Sequence, residues 1–187
     1  MGTVPKVTEA HREQRREQIL DGARRAFATH GYDGATVVEL ERAIGLSRGA
    51  IFSYFPSKWE LFYALASADQ ERVGRLWLEE GFESVVRATG AERPEWVGVY
   101  FEIMRMLRTD STLRERWAQR NPELHVQVAE HLAQCQRDGI YRDDLTIEEI
   151  GQFLGIVLDG LTVHLGAGFP VDVDGTIELV RTALSPK

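Results

Sequence analysis

Apolar residues recur along this chain at intervals of three and four, the spacing that lines one face of an α-helix, from near residue 19 to residue 184. Ile19, Leu20, Ala23, Ala26 and Phe27 form the first such stripe, predicting a helix from about Glu9 or His11 to His30 that Gly31 closes. Val37, Leu40 and Ile44 line a short second helix. Ahead of it stands Thr36, whose hydroxyl suits an unpaired backbone N–H, with Glu39 three residues on as the other half of a capping box. Gly45 fits the left-handed residue that ends the helix, and Leu46 plugs the turn. Ser47 caps a third helix, whose Ile51 and Phe55 face back toward the second; Pro56 stops it, and Ser57 caps a fourth opening with Lys58. Two short helices joined by a glycine-containing turn make a helix-turn-helix.

The fourth helix is long, to about Glu80, with Leu61, Phe62, Leu65 and Ala68 packing early and Val73, Leu76 and Trp77 later. Gly74 and Gly81 are points where it bends or stops. Beyond it the pattern predicts a short helix from Phe82 to Thr89, a loop to Pro94, and an amphipathic helix from Glu95 to Arg108. Further helices run from Thr112 to Arg120, from Pro122 to Arg137 and from Thr146 to about Gly166, the last opened by a capping box of Thr146 and Glu149. Thr176 to Leu184 is the final one. No stretch reads as a strand, repeat or low-complexity tract. The expectation is an all-α protein of about nine helices. Residues 1–58 form a three-helix helix-turn-helix domain with an arm over 1–10, and residues 59–187 a larger bundle for ligand binding and dimerisation.

Composition refines this picture through charge. With 43% hydrophobic and 27% charged residues the chain is ordinary for a globular protein. Its net charge of −7 is divided unevenly: residues 1–58 carry nine Lys/Arg against seven Asp/Glu, the remainder thirteen against twenty-two. A net +2 followed by −9 confines affinity for nucleic acid to the N-terminal part. It also makes one copy a modest binder, so two copies are expected to bind together. Lys6, Arg12, Arg15 and Arg16 either carry an arm along the phosphate backbone or minor groove or belong to a tail and a solvated helix end.

The single cysteine, Cys135, excludes an internal disulfide framework and suits a reducing cytoplasm. No apolar run approaches the length of a membrane span, and no apolar core follows the N-terminal charges as in a signal peptide. His125 and His131 are six apart, not the i, i+4 spacing that converges on a metal ion. No nucleophile–base or paired-carboxylate constellation stands out. The expectation is a non-enzyme without cofactor or metal.

The third helix carries the chemistry. With Ile51 and Phe55 turned inward, Arg48, Gly49, Phe52, Ser53 and Tyr54 lie outward or on its flanks. A recognition helix inserts its N-terminal end into the major groove, where Arg48 can pair with a guanine edge. Gly49 lets the backbone approach, Ser53 and Tyr54 reach phosphate oxygens, and Lys58 adds charge beside free N–H groups at a helix start. The plainer alternative is a three-helix packing unit with solvated Arg and Lys. Two aromatic residues on a short, partly exposed helix argue against it.

The run FATHGYDGATVVELERAIGLSRGAIFSYFPSKWELF resembles the DNA-binding domain of TetR-type bacterial transcriptional regulators. The likeness rests on Phe27, Gly31-Tyr32, Thr36, Gly45, Phe52, Tyr54-Phe55 and Lys58. It implies that Val37, Arg48, Gly49 and Phe52 face bases of double-stranded DNA, while Thr36, Ser53, Tyr54 and Lys58 face its backbone. Phe52 departs from the family's usual Tyr and loses a hydroxyl contact; Val38 is apolar where some members carry a polar base reader. The resemblance further implies a cytoplasmic homodimer that acts as a ligand-responsive regulator, most simply a repressor. The competing class is a non-catalytic helical interaction module that turns the same motif to another partner. The stretches LRTD and VLDG resemble, more faintly, actinobacterial repressors of aconitase. Their ligand is not carried across, because Leu124 to Ala133 has no Lys or Arg for a tricarboxylate.

Two surfaces are then needed in the bundle. Ile150, Leu154, Val157, Leu158, Leu161 and Leu165 make a stripe that serves either a dimer face or a buried internal helix. Gly151, Gly155 and Gly160 each cost a helix about 1 kcal/mol against Ala, an expense that close approach of a partner helix would explain. Trp77, Phe82, Trp96, Tyr100, Phe101, Met104 and Trp117 are candidate lining for a small-molecule effector, or plain core. Arg105 and Arg108 could edge such a cavity, or pair with nearby carboxylates.

Overall fold

The first helix breaks where the pattern places its end. α1 (Glu9–Gly34) kinks at Gly31, whose backbone is non-helical at φ 66°, ψ 177°, and one more short turn follows to Gly34. A residue other than glycine would be strained there. α2 (Val37–Ile44) and α3 (Arg48–Phe52) follow, and then α4 (Lys58–Glu80). After them come α5 (Phe82–Ala91), α6 (Pro94–Thr109), α7 (Ser111–Ala118), α8 (Pro122–Arg137), α9 (Ile147–Gly166) and α10 (Val173–Leu184). The computed structural model describes residues 9–91 and 94–186, the side chains of 94–96 excepted. Ten helices and no strand stand among the described residues, so the chain is all-α as expected, with one helix more than about nine. Most of the expected N-terminal arm lies outside the described residues, as do the last positions of the loop before Pro94.

The caps fall where the sequence puts them. Thr36, Ser47, Ser57 and Thr146 each accept a backbone N–H three residues on. At Thr146 the reciprocal bond from Glu149 completes the box, whereas Glu39 instead pairs with Arg42 at 2.7 Å and lies 3.7 Å from His30. α10 begins three residues before the expected Thr176, because Asp172 accepts from the N–H of Gly175 and so caps the helix earlier.

Two apolar cores result. The first gathers Ile19, Phe27, Leu40, Ile51, Phe62 and their neighbours from α1–α4, closed by Val99, Ile103, Leu107, Leu113 and Trp117 of α6 and α7. The body therefore reaches into the reading head through α6 as well as α4. Gly98 of α6 makes this close, since a methyl there would lie 3.3 Å from the Ala28 backbone. The second core holds Trp77, Phe82, Val86, Leu132, Ile150, Leu154, Ile177 and Leu184 from α4, α5 and α8–α10. α4 belongs to both.

Candidate nucleic-acid interface and effector cavity

The tip of the molecule is built from α1 outward. Gly22 lets α1 lie directly on α2: a methyl there would fall 2.6 Å from Ile44 Cα. Two α1 side chains then serve the last carbonyls of α2, which no turn of helix can satisfy. Gln18 Nε2 donates to Ile44 O at 3.2 Å and Arg25 Nη2 to Ala43 O at 2.9 Å. Gly45 turns left-handed at φ 76°, and its N–H returns to Glu41 O. From there α3 is set by Ile51 and Phe55, both buried. An aromatic cluster fixes the seat from below, with Phe62 against Phe27 at 5.1 Å and against Tyr32 at 5.2 Å, and Trp59 beside them.

On this seat the side chains named from the sequence emerge together. Thr36, Arg48, Gly49 and Ser53 are exposed, and Val37, Phe52, Tyr54 and Lys58 are half-buried around them. The Arg48 guanidinium lies 5.9 Å from the Phe52 ring centre, so the first and last side chains of α3 form one patch along its outer side. Lys58 Nζ sits 4.6 Å over the Tyr32 ring and 3.4 Å from Asp33 O, which holds it beside the first turn of α4. Ser53 spends its hydroxyl proton on Ala50 O at 2.7 Å, leaving the oxygen's acceptor side outward. Val38 stands further out than any of these apolar positions.

The reading head is tied to the body at two levels along α4. Near its start, Arg116 of α7 forms a paired bridge to Glu60 at 2.8 and 3.1 Å, lowering the Glu60 carboxyl below its ordinary range. Tyr63 OH donates to Arg116 O at 3.1 Å. Further along, Asp69 is only 3% exposed and accepts from Arg24 of α1 at 2.7 Å. Burial pulls the Arg24 guanidinium down, but its bonds to Asp69 and Asp21 outweigh that and raise it. Gln70, the next residue, receives Arg120 Nη2 at 3.5 Å in the body.

That contact lies at a half-open cavity of about 570 Å³ lined by α4, α6, α8 and α9, within the usual range of small-molecule sites. Val73, Trp77, Leu124, Val128 and Leu158 supply its apolar wall. Gly151 and Gly155 of α9 face it too; an added methyl would meet nothing nearer than 3.6 Å at the first and nothing within 4 Å at the second. Of the residues proposed for a ligand, Trp77 and Tyr100 line this space. The others do not. Phe82 fills the second core, Trp117 closes the first, and Met104 packs between layers. Phe101 is exposed, the Trp96 side chain lies outside the described residues, Arg105 bridges to Glu102 at 3.1 Å, and Arg108 is solvent-facing. An aromatic stripe at helical spacing cannot say which neighbour each ring will meet, and α6 splits its ring and apolar positions among three environments.

The cavity's cation is one that helical spacing along α6 could not reveal. Arg120 stacks on Trp117 at 3.8 Å and donates to the Trp117 carbonyl, and burial lowers its guanidinium to about 10. It sits four residues ahead of Leu124, outside the stretch to Ala133 that has no Lys or Arg. His125 lies near it and is pushed below the ordinary imidazole value by burial and by that guanidinium. On the opposite wall are Glu148 and Asp159, the latter holding the Tyr100 hydroxyl, whose proton burial and this bond make harder to lose.

The stripe expected to face a second copy is largely inside. Ile150, Leu154 and Leu161 are buried in the protomer's own second core, and Val157, Leu158 and Leu165 are half-buried. The other side of α9 is the open one: Ile156 is 62% exposed and Val163 42%, with Phe153 beside them. Leu179 of α10 is 72% exposed. α9 is apolar on both sides, and within one protomer its own core takes up half of the expected stripe. The costly glycines of α9 find a reason within one copy, since two of them keep the cavity open. Among the described residues no cluster of His, Cys, Asp or Glu has metal-binding arrangement, and no helix is long and apolar enough to cross a membrane. Cys135 is buried beside His131 at 3.7 Å, and burial raises its thiol.

A helix-turn-helix seated on one core, joined by a long helix to a bundle with a roomy interior, defines a one-component helical regulator. Residues 19–65 match the model of bacterial regulatory proteins of the tetR family, and residues 74–185 that of the BetI-type transcriptional repressor C-terminal region. The chain belongs to the TetR family of transcriptional regulators. It is 41% identical to the HTH-type transcriptional repressor Rv1474c of Mycobacterium tuberculosis, over 97% of this chain and 98% of that one. It is 40% identical to the HTH-type transcriptional repressor AcnR of Corynebacterium diphtheriae, over 97% of each. Among solved structures, Salmonella enterica GusR superposes with a TM-score of 0.73 at 23% identity, covering 95% of this chain and 96% of that one.

Proposed function

We propose that the protein is a cytoplasmic, non-enzymatic repressor that binds a palindromic operator as a homodimer and releases it when a small molecule enters the cavity. Residues 1–58 serve as the reading domain and 59–187 as the effector and association domain. In each protomer the start of α3 enters a major groove, with Val37, Arg48, Gly49 and Phe52 toward bases and Thr36, Ser53, Tyr54 and Lys58 toward phosphates. The exposed faces of α9 and α10, with Phe153, Ile156, Val163 and Leu179, are apolar surface suited to a second copy. Helix-turn-helix dimers need their reading heads about 34 Å apart, so anything that tilts α4 changes affinity.

What supports this most is a pair of consecutive residues. Asp69 is clasped by the reading head through Arg24, and Gln70 touches Arg120 at the cavity. A ligand that moves Arg120 or the α8 wall therefore acts on the same turn of α4 that the reading head holds. The change must come from a difference in the ligand's affinity between two dimer geometries.

Mobility-shift titration with genomic fragments, at several salt concentrations, tests the reading. The expected outcome is palindrome-dependent binding that weakens as salt rises, with one dimer per pair of half-sites. Binding indifferent to sequence, or a strictly monomeric protein, would sink it.

A further inference from the structure

The effector cavity is chemically lopsided. Its body is apolar, lined by Val73, Trp77, Leu124, Val128 and Leu158. Its single arginine, Arg120, is bonded to neutral oxygens only, the Trp117 carbonyl and the Gln70 amide, and no carboxylate bridges to it among the described residues. Elsewhere in the chain Arg24, Arg75, Arg116, Arg142 and Arg181 each hold a carboxylate. A guanidinium pulled out of water without a counter-charge costs folding energy, which an incoming anion offsets. Burial has already lowered it to about 10, still charged at neutral pH, while burial and this guanidinium push His125 below the ordinary imidazole value. A second donor is idle as well: Trp77 lines the space and its buried indole N–H has no partner among the described residues.

The other wall limits how much negative charge can enter. Asp159 and Glu148 both line the cavity, and Asp159 is already engaged by the Tyr100 hydroxyl. An anion bearing several charges would find one cation and two carboxylates. A singly charged head on an apolar body meets the cation at Arg120 and the apolar wall of Val73, Trp77, Leu124, Val128 and Leu158.

We propose that the cavity binds a monocarboxylate with an apolar body, its carboxylate paired in a fork with Arg120 and its body against Val73, Trp77, Leu124 and Leu158. This rests on the cavity being the effector site. A carboxylate that takes the Arg120 fork competes with Gln70 and with the Trp117 carbonyl, the two links from Arg120 to α4 and α7.

The test uses the full-length protein and a matched set of probes: decanoate, decanol, decylamine and the tricarboxylate citrate, each followed by calorimetry and by thermal shift. Decanoate is expected to bind at least tenfold more tightly than decanol, with decylamine and citrate weaker still. Arg120→Met keeps the apolar stem over Trp117 and should bring decanoate down to the affinity of decanol. The comparison of probes on the wild-type protein needs no variant and decides the matter even if Arg120→Met fails to fold. Equal binding of decanoate and decanol, preference for decylamine or citrate, or no binding of any probe overturns the proposal. Operator binding by the same preparation separates that failure from failure of the regulator reading. A protein that grips its palindrome yet ignores decanoate has the right function and a different ligand, whereas one that takes decanoate but never finds an operator has the reverse.

Discussion

The two cores of this molecule are built to opposite specifications. Under the reading helix the interior is filled, with Phe27, Tyr32, Trp59 and Phe62 edge to face and Gly22 sparing no room between α1 and α2. In the body the same kind of apolar helices leave about 570 Å³ between them, and two glycines of α9 keep it clear. Dense packing holds side chains in one arrangement, which base reading requires. A void makes no such demand and allows the body to change shape at low cost. α4 passes from the one environment to the other, so its front half is fixed and its back half can respond.

If this contrast is right, the largest losses come from the filled core. Phe62→Ala should cost about 3–5 kcal/mol, whereas Leu158→Ala at the cavity wall should cost less than about half of that, because the lost contacts border space already empty. Urea unfolding of the two variants compares them directly, and equal losses would erase the distinction. Next in size is Gly22→Ala. Its methyl would have to displace the Ile44 backbone, so a loss of about 1–3 kcal/mol is expected, with operator affinity falling further than stability explains. At the tip, Arg48→Ala should cost about 1–3 kcal/mol at one base pair and relax discrimination there. Lys58→Ala should weaken all sequences alike and flatten the salt dependence; identical behaviour of the two variants would remove their assigned roles.

In the hollow region the sign reverses. Gly155→Ala should raise stability by about 0.5–1 kcal/mol through helix propensity alone, while narrowing the space for an effector; a destabilised variant would mean that the cavity closes in solution. The smallest effect is the Glu60–Arg116 bridge, where Glu60→Gln should cost a few tenths of a kcal/mol, as exposed pairs do. Because the bridge holds the folded-state carboxyl below the ordinary 4.5, its contribution is present above that value and fades as pH falls through the lowered one. Urea midpoints of the two proteins should therefore converge in acid.

How far the sequence reads ahead follows the same division. Caps and turn residues act within three or four positions, so Thr36, Gly45, Ser47 and Ser57 announce α2, α3 and α4 almost to the residue. The exposure of Arg48, Gly49 and Ser53 was legible because α3 is too short to hide its outward positions. In the body, α6 and α9 are apolar on more than one face, and periodicity alone does not say which neighbour each face meets. Hence Phe82 and Trp117 pack into cores rather than line the cavity, and Ile150, Leu154 and Leu161 of the expected stripe are buried in the protomer's own core. Arg120 lay beyond reach for another reason. Among the described residues no carboxylate bridges to it, and neighbouring residues in sequence cannot reveal that.

The bare backbone of α9 at Gly151 and Gly155 has a consequence for how such a regulator diversifies. A single carbon atom added at either position trims the chamber without touching any residue of the tip. If the chamber receives the effector, the choice of signal is separate from the choice of gene, and the first can be retuned by steps as small as one methyl while the second stays as it was.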